Sequence, residues 1–267
     1  MLKSFVLGLT LSALCATGAE AVTWTLTSPF PADDFRTRNA QWLADQVRDA
    51  SGGDFRIVVD ANAGETPAAR AGVETGRVAM GLIDLAALGD QRPVYQFGMV
   101  PFLAGDYDGA QRLWRAAAPV VRPLLANQGL MLLYGVGGPA SSLFATRPIE
   151  NAGDLANQPL LANDILSQEL AAALRARPVA VPPASIPAAF GNGALAAMFA
   201  PASAASEMNA PSFARNAYFV RESFPMTAVV VNPAAYSALD ENSQRILLDA
   251  AVMAQNHAWT ESVEATN

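Results

Sequence analysis

Three short runs, Val78 to Leu85, Leu130 to Val136 and Thr227 to Val231, are apolar at nearly every position instead of at every second one. A strand with one wet face alternates in polarity, whereas a strand covered on both faces does not. The runs therefore predict a sheet sandwiched between helices, and the intervening segments supply the helices. Asp33 and Asp34 open a helical pattern with Trp42, Leu43 and Val47 on one stripe and Gly52-Gly53 as its stop. TWTLT, from Thr23 to Thr27, precedes it as a strand. A strand from Phe55 to Val59 and a helix from Pro67 to Glu74, ended by Gly76, follow it. This βαβαβ rhythm predicts a mainly parallel sheet with right-handed crossovers. With a helix over Tyr107 to Gln128, it fills a first lobe, residues 22–140.

The stretch from Ala145 to Asp164 divides the chain. Pro148 removes a backbone donor and biases Arg147 towards extended geometry, so Arg147-Pro148-Ile149 reads as a strand end. Asn151 to Leu155 then forms a turn or a single helical turn, and Leu160 to Ala162 a short second strand. Beyond it the alternation resumes with shorter elements: a helix over Ser167 to Arg175, a strand over Val179 to Val181, a helical turn over Ile186 to Phe190 and a strand over Leu195 to Phe199. These make a second lobe, residues 141–226. The strand at Thr227 to Val231 and one long helix from Pro233 onward, residues 227–267, return to bridge the first lobe. The expected fold is α/β, two-lobed, with a ligand cleft where the carboxyl ends of the strands face each other.

The amino terminus sets the compartment. Lys3 precedes an apolar run from Phe5 to Leu14, which is followed by the small-x-small pattern Ala19-Glu20-Ala21. The run is shorter than the roughly 20 residues a spanning helix needs, so residues 1–21 read as a cleaved signal peptide and the mature chain starts near Val22. Cys15, the single cysteine, would leave with it, and a mature chain without cysteine has no disulfide, thiol nucleophile or cysteine metal site. A formal charge of −7 offers no basic surface for phosphates, which argues against nucleic acid as a partner.

Catalytic signals are missing. There is no G-x-S-x-G, H-E-x-x-H, Walker lysine or G-x-G-x-x-G pattern in the chain. His257 is the single histidine. It falls on the polar side of the last helix with no second imidazole or thiolate to complete a metal site, and so reads as a surface residue. Asp84 is the one carboxylate embedded in an apolar strand, either paired structurally or aimed into a cleft. No cofactor, metal or enzymatic activity is expected.

Several pieces in order carry a family resemblance: VRDASGG from Val47 to Gly53, Gly76-Arg77-Val78-Ala79-Met80-Gly81, Pro101-Phe102-Leu103, Arg147-Pro148-Ile149 with Asp154-Leu155, Arg177-Pro178-Val179, and the closing strand and helix from Val229 to Gln244. Together they resemble the solute-binding proteins of tripartite ATP-independent periplasmic (TRAP) transporters, in a divergent and carboxyl-terminally short form. The resemblance implies a periplasmic-binding-protein-like fold. It also implies a monomeric receptor in the periplasm that closes on a small organic solute by hinge motion and delivers it to membrane permease subunits.

The departures from that family bear on the ligand. The segment resembling Asp154 to Leu161 reads D-L-K-G-L-K-I-R in the family, and its arginine clamps a substrate carboxylate. Here that position is Leu161. A second basic position falls near Ser141, a polar ligand position near Phe199 and an amide position near Pro29, while the acid of the third strand survives as Asp84 and Glu65 stands where another polar cleft residue is common. The resemblance thus implies a pocket walled by Phe30, Leu161, Met198 and Phe199, with Asp84 or Glu65 as polar anchor and Ser141 and Asn163 completing the set. An organic anion entering it would shed hydration without a compensating partner, so a neutral or cationic solute is expected. Arg147, at the turn before the site, is the one candidate to replace the lost cation. Family members also continue beyond the helix that ends here near Glu264, which leaves a trimmed receptor or, as the alternative, a degenerate adaptor or sensor that does not transport.

Overall fold

The computed structural model describes residues 21–265. The signal peptide expected over residues 1–21 therefore falls outside the described residues except for Ala21. The strands, in chain order, are β1 Val22–Thr27, β2 Phe55–Asp60, β3 Met80–Asp84, β4 Met131–Gly137, β5 Ser141–Ala145, β6 Pro159–Leu161, β7 Arg177–Val179, β8 Ala197–Pro201, β9 Asn216–Tyr218 and β10 Met226–Val231. The helices are α1 Phe35–Ala50, α2 Thr66–Glu74, α3 Tyr107–Ala126, α4 Ile165–Ala173, α5 Ile186–Gly191, α6 Ala202–Glu207, α7 Pro233–Ser237 and α8 Glu241–Glu264.

The strands form two five-stranded sheets, ordered β2-β1-β3-β10-β4 and β7-β6-β8-β5-β9. In the first, β1 pairs parallel with β2 and β3, and β10 runs antiparallel between β3 and β4. In the second, β6 pairs parallel with β7 and β8, and β5 runs antiparallel between β8 and β9. Both sheets thus share one plan, with a single reversed strand in fourth place. That strand reaches each sheet from the far side of a crossing: β5 enters the second sheet directly after β4, and β10 returns to the first after β9. The expected parallel character holds for four strands in each sheet, and the crossing accounts for the fifth.

The apolar runs do what their lack of alternation predicted. Val229 and Val231 of β10 face one core, with Leu43, Val47 and Leu247 from α1 and α8. Ala228 and Val230 face the opposite core, with Trp114, Val121 and Leu125 from α3. In the second sheet, Met198 and Ala200 of β8 join Phe190 and Ile186 on one side, while Ala197 and Phe199 join Leu143, Leu155 and Leu160 on the other. α1 starts where its acids announced it, because the Asp34 side chain accepts the Arg36 N–H at 2.8 Å.

Some elements differ from expectation. β3 begins at Met80, two residues after Val78, and β7 occupies Arg177–Val179, two residues before the run read from Val179. The long terminal helix is two helices, since the Asp240 side chain accepts the N–H groups of Asn242 and Ser243 and starts a new helix there. β5 ends at Ala145, ahead of the strand end read at Arg147-Pro148-Ile149, and β9 and α6 were not expected at all.

Candidate functional site

A cavity of about 540 Å³ opens between the two sheets, walled by residues from both. From the first come Phe30 in the β1–α1 loop, Asp34 and Arg36 at the start of α1, and Asp84 at the end of β3. From the second come Leu161 at the end of β6, Asp164 and Leu170 at and in α4, Phe199 and Pro201 on β8, and Glu207 on α6. Most of these sit at or just beyond the carboxyl ends of parallel strands, where open α/β sheets hold ligands. Glu222 and Ser223, on the segment feeding β10, close the back of the cleft.

The charge in this cleft is lopsided: five carboxylates, Asp34, Asp84, Asp164, Glu207 and Glu222, face one guanidinium, Arg36. Arg36 is already engaged. Its Nε and Nη2 donate to the two oxygens of Asp34 at 2.9 and 2.8 Å, and its Cζ lies 3.4 Å from the centre of the Phe30 ring. A bidentate pair stacked on an aromatic face leaves little positive potential for a further anion. Burial pushes the Asp84 carboxyl above the usual carboxylate range, opposed by the Ala86 N–H it accepts at 3.0 Å and by the Arg36 charge. Burial also raises Glu222, against a hydrogen bond from the Ser223 hydroxyl and together with the nearby charge of Asp164.

Glu222 owes its position to the crossing. The Phe102 N–H donates to the Glu222 carbonyl at 2.7 Å, the Glu222 N–H to the Ser141 carbonyl at 2.9 Å, and the Ser141 N–H to the Ser223 carbonyl at 2.9 Å. Phe224 N–H donates to Gly98 at 2.8 Å, and the Ser223 hydroxyl reaches the Ser141 hydroxyl at 3.0 Å. Arg221, with φ of 50°, and Phe102, with φ of 57°, hold left-handed backbone that their side chains disfavour. This turn leaves Arg221 exposed and buries Glu222, which is 7% exposed.

Of the residues picked from sequence, Phe30, Asp84, Ser141, Leu161 and Phe199 line the cleft together. Glu65, Asn163 and Met198 do not line it. Glu65 is exposed at the amino-terminal cap of α2. Asn163 spends its amide on Val181, donating to its carbonyl at 3.0 Å and accepting its N–H at 2.9 Å. Met198 is fully buried in the core on the other face of β8, as strand alternation requires once Phe199 faces the cleft. Arg147 is exposed and donates to the Asp154 carbonyl, away from the cleft lining. Sequence reading missed Arg36, Asp164, Glu207 and Glu222. The capping position of Asp164 before α4 was the readable signal among them. His257 is not a free surface residue: it stacks on Trp42 with ring centres 4.7 Å apart and has Nδ1 3.4 Å from Glu261. Among the described residues no cluster of three or more His, Cys, Asp or Glu could hold a metal ion.

Residues 28–267 match the model of the bacterial extracellular solute-binding protein family 7, DctP. The chain belongs to that family. It is a solute-binding receptor of the TRAP type, not an enzyme, and such receptors bind small organic solutes and work with membrane permease subunits. The receptor is 28% identical to DctP7 of Bordetella pertussis, an extracytoplasmic solute receptor binding pyroglutamic acid, over 92% of this chain and 82% of that one, with a TM-score of 0.79. DctP6 of the same organism, which also binds pyroglutamic acid, is 29% identical over the same shares with a TM-score of 0.79. A TRAP periplasmic solute-binding protein from Ochrobactrum anthropi shares the fold at a TM-score of 0.85 and 17% identity, over 93% of this chain and 79% of that one. No curated protein matches the receptor. Among the described residues no helix is long and apolar enough to cross a membrane.

Proposed function

We propose that this receptor binds a neutral or cationic organic solute with an apolar body, held between Phe30, Leu161 and Phe199 and anchored by Asp84 and Glu222. The observation that carries the reading is the charge of the cleft, five carboxylates against one arginine that Asp34 already neutralises. A carboxylate ligand would add a like charge beside groups that burial already holds above the usual carboxylate range. An amine would relieve that repulsion. The two Bordetella pertussis relatives favour a second reading, a pyroglutamate-like acid gripped by Arg36. It requires Arg36 to leave Asp34 for the ligand.

Calorimetric titration of the exported protein with primary amines, neutral amides and pyroglutamate separates the two. Tight binding of pyroglutamate with none of the amines or amides rejects the first reading. The adaptor or sensor alternative is not favoured, because the family binds solutes, and a cavity of about 540 Å³ between the sheets supports the same reading. In keeping with the family's extracytoplasmic placement, we take residues 1–21 to be removed on export and the mature receptor to act in the periplasm as a monomer. Its lobes then span 22–140 and 141–226, with 227–267 returning to the first. The intact mass of exported protein and its sedimentation check the first two points.

A further inference from the structure

We propose that a second, apolar pocket behind Phe199 is an annex of the solute cleft, built to take the alkyl or aromatic tail of the solute. The proposal rests on the reading of the main cleft as the solute site. The pocket holds about 260 Å³ and is lined by Leu143, Ile149, Leu155, Leu174, Tyr218 and Phe199, with Phe102 and Val220 at its lip. Phe199 lines both cavities. Leu143 pairs with Phe199 on one side and with Tyr218 on the other, so these three side chains form one row across one face of the second sheet. α4 covers the same face, contributing Leu170 to the cleft while Leu174, just past its end, lines the annex. The two cavities are therefore neighbours on one floor, with the Phe199 ring as the partition.

Apart from Glu150 and Asn151, which are exposed, and the Tyr218 hydroxyl, the lining is apolar. The hydroxyl of Tyr218 accepts the Ile149 N–H at 2.7 Å. At the lip Phe102 stays 53% and Val220 39% exposed, apolar surface that a bound tail would withdraw from water. Apolar cavities of about 150 Å³ hold benzene, so this one has room for a phenyl ring or a short alkyl chain. Phe199 then sets how long a solute the receptor accepts. A ring in place limits the guest to the main cleft plus what slips past its edge, and a smaller side chain joins the two spaces.

The test titrates the exported receptor with three homologous series, straight-chain primary amines, alcohols and carboxylates from propyl to octyl. Wild type is compared with Phe199→Ala, the milder Phe199→Leu, and Leu174→Trp, which fills the annex from its far side. Affinity is expected to rise about fourfold per methylene once the chain passes Phe199. The rise should begin at shorter chains in both Phe199 variants and stop early in Leu174→Trp. The same dependence on chain length in all four proteins overturns the annex, as does a series that binds without any such dependence. The head group reports separately on the cleft. A slope confined to the carboxylates keeps the annex and rejects the charge reading, whereas amines that bind with a flat slope reject the annex and keep the charge reading.

Discussion

Replacing Glu222 by glutamine should move stability and binding in opposite directions. The substitution keeps the shape of the side chain and an acceptor for the Ser223 hydroxyl, but removes a buried charge that lies near Asp164. In the unliganded receptor that charge is unfavourable. Glu222 holds its proton more tightly when folded than when unfolded, so the unfolded chain binds fewer protons above the ordinary glutamate value near 4.5. Its contribution to stability is therefore fully present below that value and is lost as pH rises through the elevated folded value. Glu222→Gln removes this loss, so the unliganded variant should melt higher than wild type at neutral pH and show a flatter decline of stability above the carboxylate range. At this chain length each 1 kcal/mol appears as about 2–4 °C. A cationic solute reverses the sign: a hydrogen bond to an ionised partner contributes about 1.5–3 kcal/mol, so the variant should bind it about 10- to 150-fold more weakly. Because the amine favours the ionised form, wild-type binding should release protons and strengthen with pH through the same window, and both effects should shrink in the variant. Differential scanning calorimetry across pH and titration in buffers of different ionisation enthalpy measure these quantities. A variant that binds amines as well as wild type does, or that is less stable without ligand, would falsify the role given to Glu222.

Three further outcomes follow from the geometry. Leu161→Arg places a guanidinium at the end of β6 inside the cleft, and amine affinity should fall more than tenfold as like charges meet; calorimetry showing unchanged amine binding would mean that Leu161 does not face the ligand. Gly98→Ala drives a Cβ into the Phe224 carbonyl oxygen and strains the segment that carries Glu222, costing about 1–3 kcal/mol; an unchanged melting temperature would contradict that packing. Asn39→Ala should destabilise by about 1–3 kcal/mol, because this fully buried amide donates to Ala254 and accepts the Tyr134 hydroxyl, each at 2.9 Å, tying α1 to α8 and β4; chemical denaturation checks it.

What the sequence disclosed depended on how local the cause was. β3, β4 and β10 were legible because burial on both faces writes an unbroken apolar run, and α1 because Asp34 caps it. β5 was legible only by its ends, near Ser141 and before Pro148, since Ser141 and Ser142 are polar residues that the crossing buries. α6 has no side-chain cap, and β9 has three residues. Of the residues lining the cleft, Leu161 and Phe199 were found through the family's motif positions and Asp84 as a carboxylate inside an apolar strand. Naming both Met198 and Phe199 ignored that neighbours on a strand point to opposite faces. Glu222 left no local trace: residues 98, 102 and 141, distant in sequence, supply the backbone that buries it. Arg36 was visible as a residue, and its pairing with Asp34 and its seat on Phe30 are local contacts, but that this cluster faces the cleft depends on the second sheet.

The reversed strand in the first sheet also governs when this protein can fold. Because β10 lies between β3 and β4, a growing chain cannot join β4 to its partners until residue 231 has been made. Strands β1 to β4 can all exist as polypeptide while the seam between β3 and β4 is still open. For a receptor of an extracytoplasmic family, such a delay keeps the chain threadable until β10 has been made.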